Sequence, residues 1–121
     1  MTMNYIDFEV GSKTYKLRLN TRAIVLLEKQ LGCNPLSIFG FDYTQPQLPS
    51  FTAMVSILHA SLQQYNHGIT LNDAYDIFDE YLAEHDSTEF ISVIMELYQA
   101  SGLMPKDSKS GEGEELEIKN A

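Results

Sequence analysis

Basic residues are absent from most of this chain. Before residue 106, every lysine and arginine lies between Lys13 and Lys29, whereas residues 73–96 carry eight carboxylates and neither lysine nor arginine. The formal net charge is −9 at pH 7. A surface of one sign attracts partners of the opposite sign and repels nucleic acid and anionic lipid. We therefore expect a positively charged protein partner, no nucleic acid and no membrane.

Cysteine is scarce as well, and the single Cys33 leaves no partner for an intramolecular disulfide. The lack of disulfides is typical of proteins from a reducing compartment. Residues 1–10 lack the basic and apolar segments of a signal peptide, and the longest purely aliphatic run, residues 23–27, is too short to span a membrane. These absences favour a cytoplasmic protein.

The motifs of common enzymes are also missing. The chain has no glycine-rich phosphate loop, no nucleophile elbow and no His-Glu-x-x-His sequence. Cys33 has no histidine beside it, which favours a small structural residue over a nucleophile. We therefore expect a protein without enzymatic activity.

Residue types that bind metals occur close together at Glu84, His85 and Glu89. A helix cap predicted at Asp86 or Ser87 falls between them, so His85 and Glu89 need not share a helix. Three aspartates further upstream follow one another at intervals of three residues, without the central glycine and the alternate spacing of a calcium loop. We expect neither a metal nor another cofactor.

Hydrophobic residues make up 44% of the 121 residues, which is enough for one core. Residues 5–19 alternate between apolar and polar side chains around Gly11 and Ser12, and this period of two predicts a β-hairpin. We predict an α+β, mainly α fold in which residues 1–104 form a single domain, the hairpin packed on a small bundle of four to five helices. Residues 105–121 are predicted to be a flexible, polar and acidic tail.

Capping residues mark where the helices begin. The predicted caps are Asn20 or Thr21, Asn34 before Pro35, Thr70, and Asp86 or Ser87, with one further helix over residues 51–65. Several aromatic residues fall on the apolar stripes of the three longer helices and are predicted to lie in the core, namely Phe51, Tyr65, Phe78, Tyr81, Phe90 and Tyr98.

The acidic side chains of the last two helices are the first candidates for partner binding. Asp76 with Glu80, and Glu80 with Glu84, stand four residues apart, where like charges destabilise a helix by about 0.2–0.5 kcal/mol per pair. A solvated face that keeps the protein dispersed and a binding face for a basic partner both agree with this pattern. The candidate residues are Asp73, Asp76, Asp79, Glu80, Glu84 and Glu89.

A second candidate contact lies around a segment that contains two prolines. Phe39, Phe41 and Tyr43 cluster in or near residues 41–49, which read as a loop. Because loops usually run over the surface, these three aromatic side chains are predicted to form a protein-contact patch.

The N-terminal third of the sequence resembles a known family. The carrying residues are GSKTYKLRL at 11–19, TRA at 21–23, LEKQLG at 27–32 and NPL at 34–36. They are similar to the tail assembly chaperones of long-tailed bacteriophages and prophages of Gram-positive bacteria. The resemblance covers about thirty residues, a short hairpin followed by a helix that ends in Leu-Gly.

The resemblance implies a non-enzymatic protein of phage tail morphogenesis. Such a chaperone binds the long, helical tape measure protein, helps to recruit tail tube subunits, acts in the cytoplasm of the bacterial host and is not expected in the mature virion. The alternative is an acidic inhibitor or adaptor that imitates nucleic acid and binds a basic protein. That reading requires carboxylates over the whole surface, and the basic residues near the N-terminus favour the chaperone.

The separation of charge along the chain also suggests a homo-oligomer. The basic residues are Lys13, Lys16, Arg18, Arg22 and Lys29. If they meet the acidic helices of a second copy, the contact is head-to-tail and forms rings or filaments. Since salt screens exposed charges, we predict that the mean mass in light scattering falls between low and high ionic strength. A mass distribution that is unchanged by salt would rule out this contact.

Overall fold

The computed structural model of the protein describes residues 4–39 and 48–105. They form an antiparallel hairpin followed by helices, which confirms the predicted fold class. The elements are β1 (Ile6–Val10), β2 (Lys13–Leu17), α1 (Thr21–Leu31), a 3-10 helix (Pro35–Phe39), α2 (Phe51–Leu62), α3 (Leu71–Leu82) and α4 (Ser87–Ser101). Apart from Pro105, the predicted tail lies outside the described residues.

The hairpin has one apolar face and one polar face. Phe8 pairs with Tyr15 and Ile6 with Leu17, and Gly11 at the turn takes the positive φ of 60° that a tight hairpin turn requires. Two strands alone are at best marginal in water, so the apolar face needs a cover. Helices α3 and α4 contact β1, and α2 contacts β2.

Helix α2 is buried on almost every side. Its buried residues include Ser56 and Ser61 as well as the aliphatic ones, because α1, α3 and β2 all pack against it. Ser61 is accommodated by two hydrogen bonds. Its hydroxyl donates to the Leu58 carbonyl at 3.0 Å, and its own carbonyl accepts from the Arg18 backbone N–H at 2.9 Å. The second bond joins the end of the hairpin to the central helix.

The predicted helix starts agree with the observed caps. The Asn20 side chain accepts from the Ala23 N–H at 2.8 Å, so Asn20 rather than Thr21 caps α1. Asp86 rather than Ser87 caps α4. Thr70 and Asp86 each form a reciprocal capping box with the third residue of their helix. Ser50 caps α2, and this cap was not predicted.

The prediction that Phe51 and Tyr65 lie in the core is wrong. Phe51 is 54% exposed and Tyr65 is 43% exposed. Phe51 is the first residue of α2, and Tyr65 lies beyond Leu62, where the helix ends three residues earlier than predicted. Phe51 and Tyr65 are therefore the two ends of the predicted apolar stripe, and both lie outside the packed part of α2.

The other aromatic side chains join β1, α3 and α4. The ring centroids of Phe8 and Phe90 lie 5.7 Å apart, those of Phe78 and Phe90 4.9 Å apart, and those of Phe8 and Tyr81 4.9 Å apart. The two pairs that contain Phe90 meet edge to face, at 73° and 77°, whereas Phe8 and Tyr81 are tilted by 35°. Edge-to-face pairs add about 0.5–1.5 kcal/mol each beyond the area that they bury. This cluster holds the hairpin on the last two helices.

Tyr98 fastens α4 to the segment that follows α1. Its buried hydroxyl donates to the carbonyl of Pro35 at 3.0 Å. Burial, and secondarily the nearby Cys33, raises the pKa of Tyr98 well above its usual range. The phenol therefore keeps the proton that it donates.

We predict that Tyr98→Phe lowers the free energy of unfolding by about 1–2 kcal/mol, because the Pro35 carbonyl stays buried and loses its donor. Urea denaturation followed by circular dichroism measures the change. Tyr75→Phe is the matched control, since Tyr75 is 48% exposed. Equal stabilities of the two variants would contradict the role given to the Tyr98 hydroxyl.

Candidate partner-binding site

A groove opens between the start of α2 and one side of α3. It has a volume of about 350 Å³ and is lined by Phe51, Thr52, Val55, Tyr75, Phe78, Asp79 and Leu82. Phe51 and Tyr75 are both about half exposed, and the rings of Phe51 and Phe78 meet edge to face at 5.6 Å. The groove thus has an aromatic wall that is only partly covered.

The periodicity of α3 explains the groove. Tyr75, Phe78 and Leu82 follow Leu71 at intervals of four, three and four residues and so lie along one side of the helix. Leu71 and Tyr75 remain exposed, whereas Phe78 is buried and its ring contacts that of Phe51. An apolar strip along a helix is thereby left at the surface.

Carboxylates border this strip. Asp79 lines the groove, and Asp76 is an exposed neighbour one helical turn before it. Among the described residues, neither aspartate has a basic nitrogen within 4.0 Å, and the single pair within that distance joins His85 to Glu89. Asp76 and Asp79 are therefore available to a positive partner.

Two of the predicted acidic residues have structural tasks. Asp73 accepts from the Thr70 N–H at 2.9 Å, and the Thr70 hydroxyl accepts from the Asp73 N–H at 3.0 Å. Glu89 and Asp86 make the same reciprocal pair at 2.9 Å each. Of the two predicted caps Asp86 and Ser87, Asp86 is the one that caps α4, and Glu89 is the third residue of that helix.

The remaining two acidic candidates lie apart from the groove lining. Glu80 points to the hairpin turn, where one of its carboxylate oxygens is so near that a Cβ on Gly11 would come within 2.8 Å of it. Glu84 is exposed in the turn that follows α3. Of the six predicted carboxylates, Asp79 lines the groove and Asp76 lies one turn before it on the same helix.

The aromatic candidates are also divided. Phe39 is half-buried and packs edge to face on Tyr98, with 6.1 Å between the ring centroids. Phe41 and Tyr43 lie outside the described residues. Phe51 and Tyr75 are exposed aromatic residues that were not predicted as contacts. The available signal was the position of Tyr75 one helical turn before Asp79.

The basic candidates lie on two elements. Lys13 and Lys16 belong to β2, Arg18 follows it, and Arg22 and Lys29 lie on α1. The Lys16 ammonium lies 5.0 Å from the ring centroid of Tyr5 and 5.7 Å from that of Tyr65. Both are cation–π distances, so Lys16 already has partners within the fold.

No metal-binding cluster is found among the described residues. None of their His, Cys, Asp and Glu side chains form a group of three that could hold an ion. The His85 imidazole, considered above as a ligand type, stacks on Tyr81 with 4.5 Å between ring centroids and lies 3.3 Å from a Glu89 oxygen. Within residues 4–39 and 48–105, no helix combines the length and apolarity needed to cross a membrane.

The fold and groove define a small, mainly helical α+β protein with a partly exposed aromatic groove between α2 and α3. Comparison with family models places the chain in DUF6096, a family of unknown function, whose model matches residues 4–120. The chain belongs to this family. No curated protein and no solved structure matches it.

The Thr70–Asp73 capping box predicts a pH-dependent contribution to stability. Hydrogen bonds from the backbone and side chain of Thr70 lower the pKa of Asp73. A lowered pKa in the folded state stabilises the fold above the unfolded pKa, and this contribution is lost as the pH falls through the folded pKa.

We therefore predict that Asp73→Asn is less stable than the parent at about pH 6 and that the difference narrows towards about pH 3. Urea denaturation at several pH values measures it. Asp76→Asn removes the same charge from the same helix without touching the cap. A gap between parent and Asp73→Asn that stays constant with pH would contradict the prediction.

Proposed function

We propose that the protein is a non-enzymatic tail assembly chaperone that binds the tape measure protein of a long-tailed phage or prophage and helps to recruit tail tube subunits. The observation that carries the proposal is the α2–α3 groove, an exposed aromatic strip beside free carboxylates. The resemblance of residues 11–36 to such chaperones agrees with it. The expected setting is the cytoplasm of the bacterial host.

The groove suits a helical partner. An amphipathic helix presents apolar side chains at intervals of three and four residues, and these can pack on Phe51 and Tyr75. A Lys or Arg one turn away on the same helix would then face Asp76 or Asp79. Those charges add selectivity and speed of association more than affinity.

A groove of this size is suited to a weak contact, which a chaperone that must later leave requires. Many copies bound along one long partner would together keep it covered, although each single copy binds weakly and can dissociate. Arg22 and Lys29 of α1 do not line the groove, so they remain available for a tube subunit or a second copy.

The distribution of carboxylates favours this role over an acidic inhibitor. A nucleic-acid mimic needs a regular array of free charges, whereas Asp73 and Glu89 cap helices and Glu80 lies at the hairpin turn. Asp76 and Asp79, which have no such role, border an apolar strip. That combination fits a protein helix better than it fits the phosphate-binding surface of an enzyme.

The test is co-expression with a long helical tape measure protein, taken from the gene next to the one for this chain where that gene encodes such a protein. We expect the partner to remain dispersed and to co-purify with this chain in a complex that weakens at high salt. The double variant Tyr75→Ser with Asp79→Lys should weaken the complex about tenfold or more, because it removes an aromatic anchor and reverses a charge.

The matched control is Met95→Ser with Glu96→Lys. It makes the same two kinds of change on the outer side of α4, where Met95 is 39% exposed. Loss of binding in the groove variant alone supports the site. Equal binding by both variants would place the site elsewhere, and a partner that aggregates with the parent chain would refute the function.

A further inference from the structure

The outer side of α1 is a second unpartnered surface. Arg22, Val25, Leu26 and Lys29 follow at intervals of three, one and three residues and share one side of the helix. Val25 is 44% exposed and Leu26 38% exposed. These four side chains and Thr21 line a shallow depression of about 470 Å³. We call this surface the α1 face.

The α1 face continues towards α2. A neighbouring depression of about 330 Å³ shares Arg22 and Leu26 with it and extends to Ala60, with polar side chains at its edge. No Asp or Glu lines either depression. In the described part of the chain, neither Arg22 nor Lys29 has a carboxylate oxygen within 4.0 Å. An acidic protein thus has an apolar surface whose charged groups are all positive.

We propose that residues 112–118 of the same chain dock on the α1 face. Their sequence is EGEELEI, with four carboxylates and no basic residue. Leu116 and Ile118 are the large apolar side chains of residues 106–121. The segment therefore has two apolar side chains with acidic neighbours. The α1 face has the complementary arrangement, two exposed aliphatic side chains with basic neighbours.

The path of the chain brings this segment within reach. The N–H groups of Leu103 and Met104 both donate to the carbonyl of Tyr98, whose hydroxyl is bonded to Pro35 just after α1. The chain therefore leaves the described domain near the C-terminal end of α1. Eleven further residues lead to Leu116, enough for up to about 36 Å of extended chain. The four residues of the α1 face extend over only about 10 Å.

Tethering makes even a weak contact effective. A short linker gives the attached segment an effective concentration on the order of millimolar. A contact too weak to hold a separate peptide at micromolar concentration would thus still be populated within the chain. A docked segment would also compete with any acidic partner for Arg22 and Lys29. This proposal does not depend on the α2–α3 groove or on the proposed function.

Cys33 provides the probe. It is the sole cysteine of the chain, it is exposed, and it lies two residues beyond the end of α1. A nitroxide attached to it in the full chain broadens the amide signals of residues close to it in an NMR spectrum. We expect broadening within residues 114–118 at low salt that does not change on dilution.

Charge reversal tests the assigned surface. Arg22→Glu with Lys29→Glu should reduce the broadening about threefold or more, since attraction becomes repulsion. Adding Glu115→Lys and Glu117→Lys should restore it. Lys13→Glu with Arg18→Glu makes the same change of net charge on the hairpin and should leave the broadening as it is.

Three results would overturn the proposal. The first is broadening that is absent in the parent chain. The second is broadening that is equal in the α1 variant and the hairpin control. The third is broadening that rises with protein concentration, which would assign the α1 face to the segment of a second copy.

Discussion

A helix without a solvent-facing side needs neighbours all round, and α2 obtains them from α1, α3 and β2. The need to cover α2 determines where the other elements pack. The hairpin covers one side of α2 and is held there by the backbone bond from Arg18 to Ser61. Helix α3 covers another side and, with α4, closes over the aromatic cluster behind β1. The first two residues of α2, Phe51 and Thr52, are exposed, and the candidate binding groove begins there.

Local patterns in the sequence were enough to predict the hairpin, most helix starts and the fold class. Caps and periodicity depend on residues within four positions of each other, as at Asn20 and Thr70. The errors arose where distant residues decide the outcome. The rings of Phe51 and Tyr65 meet Phe78 and Tyr5 from distant parts of the chain, and periodicity within one helix does not show that both stay exposed.

The carboxylates illustrate why charge alone is a poor guide to a site. On the sequence they form one run, but the structure uses Asp73 and Glu89 to satisfy backbone N–H groups and places Glu80 at the hairpin turn. Asp76 and Asp79 differ because an exposed aromatic side chain lies beside them. The candidate site is therefore distinguished by unpaired carboxylates that lie beside exposed apolar side chains. The periodicity of the sequence places these residues on α3, but it cannot show that the apolar ones are exposed.

The hydrogen bond between Tyr98 and Pro35 joins groups that are 63 positions apart, and Phe8 meets Phe90 over a still longer separation. During synthesis, the hairpin and α1 leave the ribosome long before the last helix does. Until α4 emerges, the apolar face of β1 lacks part of its cover and the Pro35 carbonyl lacks its donor. The domain therefore closes only after residue 98 has emerged from the ribosome, and a message truncated before codon 98 yields a product without a closed core.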